Sequence, residues 1–410
     1  VLTGDIPPAF FLLPSLNHLE LGVNGLTGTI PPAMSAPLIW LSLRYNKLTG
    51  MIPLTISNVL TLEHLDCSQN YLEGSLPPEL GLLANMVSLY LNHNQFTGTI
   101  PTTFTNFTKL VNLALHHNNL NGVIPSLSFS SNLKHVDLGS NQLEGALVTD
   151  YHGFTYFDLS DNLLSGTLKD SICALTAVEY FSFGKNQFTG TIPSCIGSMS
   201  SLQVFDVHSN SLTGTIPSSI GGLVNMKELW FSGNQLTGSV PQEIGYCGQL
   251  EKLFMASNQL SGTLPASMIK LSKLKSISLG NNMLEGEVIG KDGIFLQLNY
   301  ISIRNNRFSG TIPEEIMVES LLQLDFTENN LIGTIPEVPS SLQALRLAGN
   351  NLEGDLSALR PMVFPFIIDV SNNPNLSGDL PIGILQKDSL QVLLLSNTSI
   401  KSRDSPNLPS

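Results

Sequence analysis

Seven of the chain's eight histidines stand one, two or six residues before a recurring asparagine. His18, His64 and His135 are six before it, His116 and His208 two before, and His93 and His117 one before. His152 alone falls outside the pattern. Imidazoles at repeated offsets could ligate a metal or change charge between about pH 5 and 8. No carboxylate-backed histidine spacing accompanies them, which leaves an acid-sensitive patch or a plain polar surface. Four residues before the same asparagine stand Asp66, Tyr90, Ala114, Asp137, Asp158, Ser182, Asp206, Trp230 and Phe254. Asp137 and Asp158 are consecutive in this series, with Asp161 close by. Such a pair could do acid–base work, bind a cation or simply solvate a face. Trp230 and Phe254 are also consecutive. Large aromatics at solvent-facing positions suit an interface, and with Glu228, Lys252 and His208 they form a candidate contact patch.

The offsets have meaning because the asparagine recurs sixteen times, from Asn24 to Asn373, and nine of the fifteen intervals are 24 residues. Each copy fits L-x-x-L-x-L-x-x-N-x-L-x-G, often continued by x-I-P. Leu202, Phe205, Val207, Asn210, Leu212, Gly214, Ile216 and Pro217 make one clean copy. A seventeenth, with Leu390, Leu393 and Leu395, carries Thr398 in place of asparagine. The alternating x-L-x-L reads as a short strand with every second side chain buried. Copies stacked in parallel at roughly 4.8 Å would run about 75–80 Å. The asparagine amide can both donate and accept, so it can satisfy backbone groups in the turn. Glycine four residues later permits a conformation that a side chain would block. Proline seven residues later fixes φ at the entry to the back of the coil. One coil cannot bury its leucines alone; stacking does.

The residues one, two, four and six before each asparagine therefore share one exposed face. His93 and His117 should nearly touch there, with His116, His64, His135 and Tyr90 nearby. The repeat runs without a visible domain boundary over residues 1–400, and residues 401–410 read as a tail. Leu2 and Gly4 match positions two and four after an asparagine, so the chain begins inside a repeat.

Composition excludes several functions. The formal net charge is −13 and no basic cluster stands out, which disfavours nucleic acid as a partner. The most apolar stretch, Met362–Val370, contains Pro365 and is far shorter than the ~20 residues of a membrane span. A membrane anchor would have to lie outside these residues. No nucleophile elbow, phosphate loop or zinc-protease motif is present, so an enzyme is not expected and no cofactor is called for.

The L-x-G-x-I-P element, clearest at Thr189–Pro193 and Thr213–Pro217, distinguishes one class of repeats. The chain resembles the plant-type leucine-rich-repeat ectodomains of receptor kinases and receptor-like proteins, and the polygalacturonase-inhibiting proteins. The resemblance covers residues 1–400. It implies an α/β repeat solenoid: a right-handed superhelix of about 17 repeats with a parallel sheet on the inner face, a second short strand, and 3-10 turns behind. The chain departs from the receptors in having no cysteine-paired N-terminal cap, no non-repeat island and no kinase segment. The resemblance also implies secretion and recognition of peptide, glycan or protein partners. A structural component of a cell-surface or extracellular assembly is the alternative. Cys67 and Cys247 fall at buried repeat positions. Cys173 and Cys195 lie in corresponding parts of adjacent coils, where a disulfide is one of two open outcomes. Asn106, Asn375 and Asn397 head N-glycosylation sequons.

Overall fold

The computed structural model describes residues 1–128, 130–147, 153–288 and 297–401; His152 and the tail from residue 402 lie outside the described residues. The chain divides into two compact units, Val1–Asn210 and Ser211–Ser410.

Among the described residues of the first unit nine three-residue strands stand one per coil, from His18–Glu20 to Val204–Asp206. Neighbours pair in parallel and in register, Leu65 opposite Leu89 and Leu89 opposite Leu113. The register follows from burial. The middle residue of each strand points into the coil, and slipping by one would turn every leucine to solvent. The coil around Asn70 shows the packing: Leu62, Leu65, Cys67, Leu72, Leu76, Leu80 and Leu83 are all buried. A second row of parallel strands follows, including Tyr71–Ser75, Gln95–Thr99 and Asn119–Val123. Pro53, Pro77 and Pro101 then open 3-10 turns at φ of −68°, −69° and −61°, which the pyrrolidine ring sets in advance.

The recurring asparagine is a bracket between coils. The Asn94 amide donates to the carbonyls of Cys67 and Leu91 at 3.0 and 3.1 Å, and its oxygen accepts the Leu72 N–H at 2.9 Å. Two of those partners belong to the preceding coil. Thr398 keeps only the bond within its own coil, from Oγ1 to the Leu395 carbonyl at 2.7 Å. The glycine four residues on is required at Gly122: its φ is +71°, and a Cβ there would sit 2.8 Å from Thr99 Cγ2.

Among its described residues the second unit repeats this plan with eight strands, Glu228–Trp230 through Val392–Leu394. Among the described residues α-helix is confined to Ile382–Leu385. After Asn373 the ladder with Thr398–Lys401 shifts register, where Pro374 adds one residue to the turn. Both units consist of parallel strands and 3-10 turns, the leucine-rich-repeat solenoid plan.

Cys173 and Cys195 form a disulfide across adjacent coils of the first unit, with Cα atoms 6.0 Å apart. It ties the 3-10 turn Asp170–Ala174 to the coil that opens Ile196–Ser198. Replacing both by serine is expected to cost up to about 3 kcal/mol, from the restored freedom of a loop of about 20 residues. Hydrogen exchange should locate the loss between residues 170 and 198. Cys67 and Cys247 are free and fully buried. Burial pushes the Cys247 thiol up to about 11 and the Cys67 thiol higher still, so both stay protonated and inert.

Candidate ligand-binding face

The strand face of the first unit is built by the repeat itself. Side chains six, four and two residues before each asparagine leave the strand on the side opposite the leucines. Three of these columns frame a hollow of about 500 Å³ bordered by Glu20, Trp40, Arg44, His64, Asp66, Tyr90, His116 and His135. The hollow exists because its floor is low: Ser42 and Ala114 occupy positions where other coils place Tyr90 or Asp137. Trp40 forms a wall, its ring stacked 5.4 Å from His18 and tilted 4.6 Å from His64. Its indole N–H points to the Glu20 carboxylate at 3.4 Å.

Sequence reasoning singled out Tyr90, His64, His116 and His135 but passed over Trp40, Arg44 and Glu20. All three occupy the same exposed columns, at six, two and four before their asparagines.

The structure brings the histidines together. His93 stacks on His117 at 4.3 Å and meets His116 edge-on at 5.1 Å. Both His93 and His117 have positive φ, 54° and 53°, as does the residue just before each of the sixteen asparagines. This left-handed step turns the chain out of each strand and was not evident from the sequence pattern. His116 Nδ1 lies 3.0 Å from Asp137 Oδ2, without the alignment of a hydrogen bond, so the contact becomes an ion pair only when the ring is protonated. Burial lowers the pKa of His93, and His117 and His116 lower it further against the opposing pull of Asp137. Burial likewise lowers that of His135, which Asp137 opposes and His116 reinforces. Among the described residues no group of three metal-ligating side chains could hold an ion.

His135 begins an aromatic ladder, stacked 4.3 Å from Tyr156, which stacks 4.4 Å from Tyr180. Beside it run Asp137 and Asp158, opposite each other on adjacent strands. Burial raises the Asp158 pKa, opposed by hydrogen bonds from Ser160 and aided by Asp137 and Asp206. Asp206 accepts from Ser182 at 3.3 Å and pairs with His208 at 2.7 Å. The acid stands between hydroxyl and imidazole here, so the histidine is not placed to take a proton from the hydroxyl.

In the second unit Trp230 and Phe254 lie on adjacent strands with ring centroids 4.3 Å apart. Expected to be exposed, each is instead half-buried. The rings cover each other, the Trp230 indole N–H donates to Glu228 at 3.0 Å, and the Lys252 ammonium sits 5.7 Å over the indole while pairing with Glu228 at 3.0 Å. The patch is largely satisfied by its own members. His208, grouped with it on sequence grounds, belongs to the first unit and is paired with Asp206.

The leucine-rich-repeat family matches residues 200–260 in one profile and residues 37–59, 61–83, 85–107 and 297–318 in another. The plant peptide hormone receptor RGFR1, solved in complex with RGF2, superimposes over 97% of this chain with a TM-score of 0.87 and 31% identity. The chain is a plant-type leucine-rich-repeat protein. The Arabidopsis receptor kinase HAESA, solved with the peptide hormone IDA and the co-receptor SERK1, gives 0.85 and 29%, and PEPR1 with AtPEP1 gives 0.79 and 27%, each over 97% of this chain. The repeat protein spans 66%, 68% and 64% of those three chains, in the same order. No curated protein sequence matches it significantly. All three sequon asparagines of the repeat protein are exposed. Asn106 closes the 3-10 turn Thr102–Asn106, away from the strand face.

Proposed function

We propose that this repeat protein is the recognition part of an extracellular or cell-surface receptor-like protein, and that it binds an extended peptide or protein segment on the strand face of its first unit. The hollow walled by Trp40 carries the reading. A large aromatic there is stacked, partly covered and rimmed by unlike polar groups, which is the make-up of an interface anchor. The three solved receptors named above, each in complex with a peptide, support the ligand class. The disulfide and exposed sequons support the secretory route. The uninterrupted repeat supports treating residues 1–400 as one solenoid. The activity proposed is binding rather than catalysis.

Peptides selected against the purified protein from a library of secreted sequences test this. Trp40→Ala is expected to weaken a selected peptide at least about tenfold, a loss usual for a buried aromatic anchor. Tyr71→Ala, on the second row of strands, should leave affinity within about twofold. Affinity sensitive to Tyr71 and indifferent to Trp40 would instead favour the scaffold role, with contacts through the flank.

A further inference from the structure

The strand face of the first unit is strongly unbalanced in charge. The columns one, two, four and six before the asparagines hold six carboxylates, Glu20, Asp66, Asp137, Asp158, Asp161 and Asp206. Only Arg44 and Lys185 oppose them, leaving a surplus of four negative charges. Between the carboxylates stand aromatic faces: Trp40 at the hollow, and Tyr156 stacked on Tyr180. Carboxylates beside aromatic planes suit ammonium and guanidinium groups, which gain both an ion pair and a cation–π contact. The same columns also hold seven histidines, more than the surplus. Protonating them would turn a face with four excess negative charges into one with three excess positive charges.

We propose that this face docks a cationic peptide segment, rich in lysine or arginine, and that acidification releases it through the histidines set among the carboxylates. The inference rests on the recognition reading above and names the chemistry of its ligand. The histidines act because of where they sit. His93 and His117 touch each other, His116 touches Asp137, and His135 lies on the Tyr156 ring. Asp66 and Tyr90 face the cluster from the preceding coils and Asp158 and Asp161 from the following one. Glu63 and Lys134 stand at its edge, one residue before the exposed columns. Protonation therefore neutralises the nearest carboxylates and adds cations where the peptide's own cations would lie. Folding lowers the pKa of His93 and His135, so the unfolded chain takes up protons more readily. The unit thus loses some stability as pH falls below about 6.5, and binding is to be read only where the circular dichroism is native.

The probe is a labelled peptide of about twelve residues alternating lysine and glycine, long enough when extended to cross nine strands. Glutamate–glycine and serine–glycine peptides of equal length are the comparators. We expect the lysine peptide to bind at least about tenfold tighter than either at about pH 7.5, and to lose at least about tenfold by about pH 5.5. Asp137→Asn with Asp158→Asn should weaken it about tenfold. Glu314→Gln with Glu315→Gln removes the same charge from an exposed 3-10 turn of the second unit and should change it less than about twofold. The histidine variants use residues the repeat already places at those positions. His93→Asn and His117→Asn match Asn281 and Asn305, which share the positive φ; His116→Asn matches Asn92 and His135→Asn matches Asn112. Together they remove four of the seven rings, so the loss between about pH 7.5 and about pH 5.5, taken as the ratio of the variant's own two affinities, should shrink from about tenfold to about threefold. A flat wild-type profile, equal weakening by the two carboxylate pairs, or tighter binding of the glutamate or serine peptide overturns the proposal. In that last case, Trp40→Ala abolishing the binding keeps the recognition reading, and an unchanged affinity removes that as well.

Discussion

Phe181→Ala is expected to destabilise the first unit by about 3–5 kcal/mol, the range for emptying a fully enclosed aromatic position. Phe181 has no exposed surface, and its ring packs 4.2 Å from Phe183 and 5.8 and 6.1 Å from Phe157 and Phe205 on the flanking strands. The coil cannot collapse into the gap, because its backbone is pinned on both sides by parallel strands in register with Phe157 and Phe205. Phe181→Leu, the residue most coils use at this position, should cost under about 1.5 kcal/mol. Urea unfolding followed by circular dichroism would measure both. Equal midpoints for the two variants would show that the aromatic column is not a shared core.

Asn94→Ala should be nearly as damaging although it removes only a small polar group. The loss strands the Leu72 N–H and deprives the Cys67 and Leu91 carbonyls, all in the buried turn. An unsatisfied buried donor alone costs about 1–3 kcal/mol. Asn94→Asp separates the roles: it can still accept from Leu72 but presents a carboxylate to two carbonyl oxygens, and should be no better than alanine. Asn94→Thr imitates the last repeat, where Thr398 keeps one bond of the set, and should fall between alanine and wild type. The order of thermal midpoints, wild type above Thr above Ala and Asp, is the observation to make. A threonine variant as stable as wild type would show that the contacts to the preceding coil contribute nothing.

These two results concern parts of the molecule that the repeat makes legible. A period of 24 residues with leucines at fixed offsets specifies which side chains enter the coil and which leave it. It placed His93 beside His117 and Asp137 beside Asp158 before any coordinates. The asparagine's role followed from its ability to donate and accept at once. The net charge of −13 disfavours a phosphate backbone as a partner.

What the period could not supply is the outcome of contacts between unlike neighbours. It describes one coil copied sideways, and each exposed side chain then settles against whichever residues happen to flank it. Trp230 and Phe254 became half-buried because two large rings on adjacent strands cover each other. Trp40 gained prominence because small residues, Ser42 and Ala114, lowered the floor beside it. The pairing of Cys173 with Cys195 depended on a Cα separation that spacing alone leaves open. The left-handed residue before each asparagine was hidden as well, since serine, histidine, lysine and even Val23 occupy it. In each case translation along the stack is written in the repeat, whereas rotamer, cover and charge environment arise only when neighbouring coils compete for the same few ångströms.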